Sequence, residues 1–316
     1  MKNILFTYLL LVTFFSAFAQ KDSGFTETAV ALQTKTGKIY GTLTMPTNGK
    51  NFLVALIIAG SGPTDRNGNS IYSKNDCLKK LAHQLSYYKI ASVRFDKREI
   101  GESIDSTMKE SDLRFDTYVN DAKDWISFLK KDNRFTKIIV IGHSEGSLIG
   151  MIAAQNADMF VSIAGAGQPA DIIIKKQLAS QPKQVQDIAF PIIDSLKNGM
   201  LARNVPTEYY SIFRPSVQPY LISWFKYDPA IQIKNLHIPI LILQGTNDLQ
   251  ITVGDPILLA GANPSAKLVL IDNMNHIFRI ITTGDTPGNI ASYKNPELPI
   301  SDELVKNIVD FIAANN

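Results

Sequence analysis

Six short apolar runs, each of strand length, constrain the fold of this chain more than any other feature. They are Phe52 to Ala59, Ile90 to Phe95, Lys137 to Ile141, Met159 to Ala164, Ile238 to Gln244 and Ala266 to Ile271. A strand with one wet face alternates apolar and polar residues, whereas a run that is apolar throughout is covered on both faces. Between the runs, Lys74 to Tyr88, Phe115 to Lys131 and Ser147 to Asn156 carry apolar residues at spacings of three and four, as helices packed on a sheet do. Ser301 to Ala314 adds another helix, with Ser301 as N-cap and Glu303 in the first turn. The expected class is α/β: a mostly parallel central sheet with helices on both faces. Ahead of it, Thr28 to Gln33 and Lys38 to Met45 alternate around Thr36-Gly37 and read as an antiparallel hairpin.

Two stretches fall outside this alternation. Pro169 to Lys226 has helical pieces but no strand pattern, punctuated by Pro182, Pro191, Pro206, Pro215 and Pro219, and reads as a helical cap insertion at about 169–226. Its Met200, Tyr209, Tyr210, Phe213, Tyr220, Trp224 and Phe225 are candidates for lining a pocket, with packing onto the main domain as the alternative. At the other exception, Lys2 precedes the apolar run Ile4 to Phe15, then Ser16-Ala17-Phe18-Ala19 and a polar stretch from Gln20. This is the layout of a signal peptide over residues 1–19, cleaved after Ala19, with one mature α/β domain over 20–316. The expected location is therefore the periplasm or the outside of the cell. An uncleaved anchor is the alternative, but the run is short for a bilayer, so no stable membrane association is expected after cleavage.

Composition narrows the function classes. With 45% hydrophobic and 19% charged residues the chain has enough apolar side chains for a full core. Its net charge is +3, and the pairs Lys79-Lys80, Lys130-Lys131 and Lys175-Lys176 are scattered, which argues against nucleic acid as a partner. Cys77 is the only cysteine, so the chain has no intramolecular disulfide, and near the start of a helix it reads as a small packed hydrophobe.

The chemistry centres on Gly142-His143-Ser144-Glu145-Gly146, which follows a strand and opens a helix. Strand, G-x-S-x-G, helix is the context in which a serine is held on a strained turn, proud of the sheet. A serine hydroxyl needs a base, and the chain has four histidines. His83 lies within a helix, His143 is too close in sequence to turn its ring onto Ser144, and His237 precedes a strand; His276 follows the last strand. Chain order then places the acid between serine and histidine, at the carboxyl end of a strand, where Asp248 ends Gln244-Gly245-Thr246-Asn247-Asp248; Asp255 and Asp272 are its rivals. Oxyanion donors are expected from the backbone N–H of Glu145 and from Ser61 in the loop Gly60-Ser61-Gly62-Pro63-Thr64-Asp65-Arg66. Arg94-Phe95-Asp96-Lys97-Arg98 reads first as structural ion pairing, and substrate contact is secondary. No residue is assignable to substrate specificity from sequence.

These motifs, in this order, resemble the serine α/β-hydrolase superfamily, and within it exported bacterial carboxylesterases whose oxyanion loop reads G-S-G-P-x-D-R. The resemblance spans nearly the whole mature chain and implies hydrolysis of small-molecule carboxylic esters, commonly short-chain, through an acyl-enzyme, with no metal or organic cofactor. It also exposes a departure: such relatives usually carry glycine directly after the D-K-R run, where this chain has Glu99. A peptidase resembling aminopeptidases of the same fold, with Glu145 or a cap acid clamping an amino terminus, and a catalytically idle ligand-binding fold are the competing readings.

Overall fold

A computed structural model of the chain describes residues 24–104, 108–282 and 284–316. The stretch read as a signal peptide lies outside the described residues.

The strands are β1 (Phe25–Thr34), β2 (Gly37–Pro46), β3 (Phe52–Ile58), β4 (Ile90–Phe95), β5 (Phe135–His143), β6 (Met159–Ile163), β7 (Ile240–Gly245) and β8 (Lys267–Ile271). They form one sheet in the order β1-β2-β4-β3-β5-β6-β7-β8. β1 and β2 pair antiparallel as the hairpin, β2 joins β4 antiparallel, and every pair from β4 to β8 is parallel. The turn falls at Lys35-Thr36, one residue earlier than the alternation suggests.

The helices are α1 (Cys77–Tyr87), α2 (Phe115–Lys130), α3 (Glu145–Ala153), α4 (Ala170–Leu178), α5 (Lys183–Lys197), α6 (Tyr210–Phe213), α7 (Gln218–Trp224), α8 (Pro229–Lys234), α9 (Gly254–Ala262), α10 (Thr286–Ser292) and α11 (Asp302–Ala314). The continuous apolar runs are explained by which face each residue takes. On β3, Val54, Leu56 and Ile58 join the cluster containing Trp125 of α2 and Ile149 of α3, while Ala55 and Ile57, with Ala59 just past the strand, join the one containing Leu81 of α1 and Ile308 of α11. Both faces are dry, so no position on the strand favours a polar residue. Ser301 caps α11 as expected, its side chain accepting from Leu304 N.

α4 to α7 lie in the stretch between β6 and β7. Ala189, Ile193, Leu196, Phe213, Leu221 and Phe225 bury into the same cluster as α2 and α3, so this segment shares the main core. Pro191 sits inside α5 and does not end it, contrary to its reading as punctuation. β7 begins two residues later than the apolar run from Ile238.

Parallel strands put all their carboxyl ends at one edge, where ligands bind in such sheets. At that edge this chain gathers Gly60 after β3, Lys97 after β4, Ser144 after β5, Asp248 after β7 and His276 after β8.

Candidate active site

Ser144 is the N-cap residue of α3, at φ 55 and ψ −122. Backbone in that region costs about 1–3 kcal/mol for a side chain other than glycine. The turn exists because its two glycines allow close packing. A Cβ on Gly142 would stand 2.3 Å from the Gly146 carbonyl oxygen, and one on Gly146 would stand 2.3 Å from the Ile58 oxygen. Both separations are impossible for real Cβ atoms, so α3 starts against the end of β3 only with glycine at each place. The serine's own N–H donates to Ile163 O at 3.0 Å, which ties the turn to β6.

His276 and Asp248 meet across the ends of β8 and β7. His276 Nδ1 lies 2.8 Å from Asp248 Oδ2, with side-chain exposures of 5% and 0%. Gln250 N and Ile251 N donate to Asp248 Oδ1 at 2.7 and 3.0 Å, and Gln244 Nε2 donates to Oδ2 at 3.1 Å. Burial alone would raise this carboxyl, but the charge and hydrogen bond of His276 and the two amides outweigh it and hold it below the ordinary carboxylate value. An ionised carboxylate on Nδ1 leaves the proton there and presents Nε2 as the basic nitrogen. The two loops are stitched by Asn247 N to Met274 O at 3.0 Å and by Asn273 N to Thr246 Oγ1 at 2.8 Å. Gly245 admits the loop that carries His276 against β7, since a Cβ there would stand 2.0 Å from Met274 O.

The rivals for the acid are engaged elsewhere or face water. Asp255 accepts from Gly167 N at 3.0 Å and from Thr252 Oγ1 at 3.0 Å, and Asp272 is exposed. Of the other histidines, His237 is exposed and His83 pairs with Glu27 at 2.9 Å. Cys77 is buried and its thiol is pushed up to about 12 by desolvation, so it holds no thiolate near neutral pH. His143, set aside as a base in the sequence, is a neighbour of His276. Its ring stands 4.7 Å from that of His276, and its Nε2 donates to the His276 carbonyl at 2.9 Å. Burial, then the neighbouring His276, bring it down to about 3, so it is neutral and serves as a fixed donor to the loop that carries His276.

The loop after β3 is held from β4. Arg66 N donates to Asp96 Oδ1 at 2.7 Å, Arg66 Nη2 donates to Asp96 Oδ2 at 2.6 Å, and Lys97 Nζ donates to Gly60 O at 2.6 Å. Gly62 takes φ 70, a conformation that suits glycine. Lys97 also pairs with Glu145 Oε2 at 2.7 Å, both side chains 2% exposed, and Tyr220 OH donates to Glu145 Oε1 at 2.5 Å. Arg98 pairs with Asp121 at 2.7 Å and Arg94 with Glu27 at 2.7 Å. Glu99 stands at φ 61, in the left-handed region, which is a physical reason for glycine to be usual there.

A cavity of about 490 Å³ opens at Ser144. Ser61, Glu145, Leu148, Ile173, Tyr220 and Trp224 are among its walls, so apolar groups from α4 and α7 line it together with the serine. Of the pocket candidates singled out in 169–226, Tyr220 and Trp224 line the cavity, Phe213 and Phe225 are buried in the core, Tyr209 packs half-buried against it, and Met200 and Tyr210 are exposed. A second recess of about 610 Å³, beside His237 and Lys267, lies at the amino ends of β7 and β8 and contains none of these groups. Among the described residues no three His, Cys, Asp or Glu side chains converge as metal ligands, and no helix is long and apolar enough to cross a membrane.

Strand order, the serine turn and the Asp248–His276 pair together make up the arrangement of the serine α/β-hydrolase fold. Comparisons agree at this level. The family model described as serine aminopeptidase, S33, matches residues 73–211, a span that includes the serine turn and stops short of Asp248 and His276. Esterase EstD of Thermotoga maritima is 25% identical over 283 residues, covering 85% of this chain; the match spans 65% of that protein's own length. Est1E of Butyrivibrio proteoclasticus, solved with ferulic acid, superposes with a TM-score of 0.62 at 17% identity, over 90% of this chain and 99% of that one. The esterase Pf2001 of Pyrococcus furiosus gives 0.56 at 16% identity, over 96% and 95%. At these identities the solved structures speak for the fold.

Proposed function

We propose that the chain is a carboxylic ester hydrolase in which Ser144 is the nucleophile, His276 the base and Asp248 the acid. The observation that carries this reading is the buried Asp248–His276 hydrogen bond at the same sheet edge as a serine on a strained turn, opening on a mainly apolar cavity. His276 Nε2 takes the Ser144 proton as the hydroxyl attacks the acyl carbonyl, and Asp248 stabilises the imidazolium that forms. The oxyanion sits on the backbone N–H groups of Ser61 and Glu145, each such donor being worth about 2.7–4 kcal/mol in the transition state. His276 returns the proton to the departing alkoxide, then activates water to release the acid. No step calls for a metal or organic cofactor.

A cavity of about 490 Å³ suits a small-molecule ester with apolar groups, and a short acyl chain is the expected preference. The family description gives the aminopeptidase reading its support. Against it, the two oxygens of Glu145 are taken by Lys97 and Tyr220, and Glu110 on the cavity wall is paired with Arg214, so neither serves as a clamp for a free ammonium group. Export, with the mature chain starting at Gln20, and capping of the site by 169–226 complete the proposal.

The test is steady-state hydrolysis of p-nitrophenyl esters from acetate to long acyl chains, beside aminoacyl p-nitroanilides, by native protein and Ser144→Ala. Ester turnover that falls with acyl length and disappears in the variant is expected. Preferential cleavage of the anilides would move the assignment to a peptidase.

A further inference from the structure

The proposed reaction uses only the backbone of Ser61 and Glu145, and leaves unexplained why a charged pair is buried beside them. We propose that Lys97 is the positioning residue of the oxyanion hole, clamping both of its halves at once, and that Tyr220 links this clamp to the helical insertion. The inference rests on the hydrolase reading of Ser144.

The placement follows from the strand order. β3 lies between β4 and β5, so a residue just after β4 must reach across the end of β3 to touch anything that follows β5. Lys97 does so with one ammonium group, donating to Gly60 O at 2.6 Å and to Glu145 Oε2 at 2.7 Å. A trans peptide points its C=O and N–H in opposite directions. Fixing the Gly60 carbonyl toward Lys97 therefore fixes the Ser61 N–H away from it. On the other side, holding the Glu145 carboxylate secures the first residue of α3, whose N–H is the second donor. The ring of Tyr118 lies 5.0 Å from Nζ and covers the ammonium.

A buried ion pair is seldom the cheapest way to stabilise a fold, since apolar residues of similar volume often do as well or better. Geometry is what this pair supplies. The remaining Glu145 oxygen accepts from Tyr220 OH at 2.5 Å. Burial and then Glu145 push that phenol well above its ordinary value, so it stays a donor. Tyr220 lies on α7, on the cavity wall, and thus connects that wall to the residue after the nucleophile.

The experiment compares native protein with Lys97→Met/Glu145→Gln, which removes both buried charges together, and with Tyr220→Phe, which removes one hydroxyl. Readouts are kcat and KM on p-nitrophenyl acetate, inhibition by a trifluoromethyl ketone that forms a tetrahedral oxyanion, and the thermal midpoint. Lys97→Met/Glu145→Gln is expected to lose about 100-fold or more in kcat, the scale of one oxyanion donor, with KM changed less than about threefold and ketone affinity falling in step with kcat/KM. Tyr220→Phe is expected to lose about tenfold in kcat in the same pattern. A folded double variant that keeps kcat within about threefold, or that changes only KM, would overturn the proposal. If Ser144→Ala retained native turnover, the hydrolase reading itself would fail, whatever the Lys97 variants did.

Discussion

Replacing Asp248 by asparagine changes one oxygen to an NH₂ group and leaves shape and volume nearly constant. The structure makes both orientations of that amide unfavourable. With its oxygen kept toward Gln250 N and Ile251 N, at 2.7 and 3.0 Å in the native chain, the new NH₂ faces Gln244 Nε2, itself a donor, and His276 Nδ1. His276 then accepts at Nδ1 and carries its proton on Nε2, where it has no capacity to take one from Ser144. Flipped, the NH₂ meets two backbone donors in a site of 0% exposure, leaving both unsatisfied. Wrong-tautomer losses in serine enzymes run to about 10⁴-fold, or roughly 5.5 kcal/mol at about 1.4 per decade. The assay is kcat/KM on p-nitrophenyl acetate for Asp248→Asn and native protein, with circular dichroism as a check on folding. The carboxyl is held below its ordinary value, so native stability from this group is present above that value and is lost as pH falls through the depressed one. The asparagine variant lacks that acid-dependent loss. Retention of more than about a tenth of native activity in a folded Asp248→Asn protein would refute the tautomer reasoning.

Gly146→Ala would put a Cβ 2.3 Å from Ile58 O and 2.6 Å from Ala59 O, both backbone atoms of the central sheet, and the variant is expected to lose more than about 4 kcal/mol and accumulate as insoluble protein; soluble, active Gly146→Ala would show that the turn relaxes. Glu27 is held down to about 2 by its hydrogen bond to His83, with burial opposing and Arg94 adding to the effect. A carboxyl depressed in the folded state stabilises above its unfolded value and loses that contribution as pH falls from about 4.5 toward 2. With Glu27 30% exposed, urea midpoints over that window should show about 1–2 kcal/mol of pH-dependent stability that Glu27→Gln lacks. Lys89 is exposed at φ 63, just past α1, where glycine is the favoured residue; Lys89→Gly should raise stability by up to about 1 kcal/mol with esterase activity intact, and a lowered thermal midpoint would count against strain at that turn.

Much of the sheet was legible because its central strands, β3 to β7, are dry on both faces, which leaves continuous apolar runs that polar turns interrupt. The ends were less so: β7 starts at Ile240, since Ile238 continues the apolar run before the strand begins pairing. α9 and α10 escaped notice because neither presents a strong amphipathic stripe, α10 being a seven-residue helix opened by Asp285 and Pro287. Pro191 misled because a proline tolerated within a helix reads the same as one that ends it. At the site, Gly142 and Gly146 announced close packing, and the structure gives them contacts that only glycine permits. The clamp around Lys97 was hidden for a different reason. Lys97 and Glu145 are 48 positions apart and follow strands that do not neighbour each other, so only the insertion of β3 between β4 and β5 reveals that they meet. The usable signal was a charged residue at the carboxyl end of each of two dry strands, which demands a partner.

The most direct test of a nucleophilic Ser144 is stoichiometric labelling by a fluorophosphonate, with the modified residue located by peptide mass spectrometry. A single adduct on Ser144 in folded protein, lost in Ser144→Ala and after heat denaturation, is the predicted result; folded protein that stays unlabelled, or carries the adduct on another residue, would contradict it.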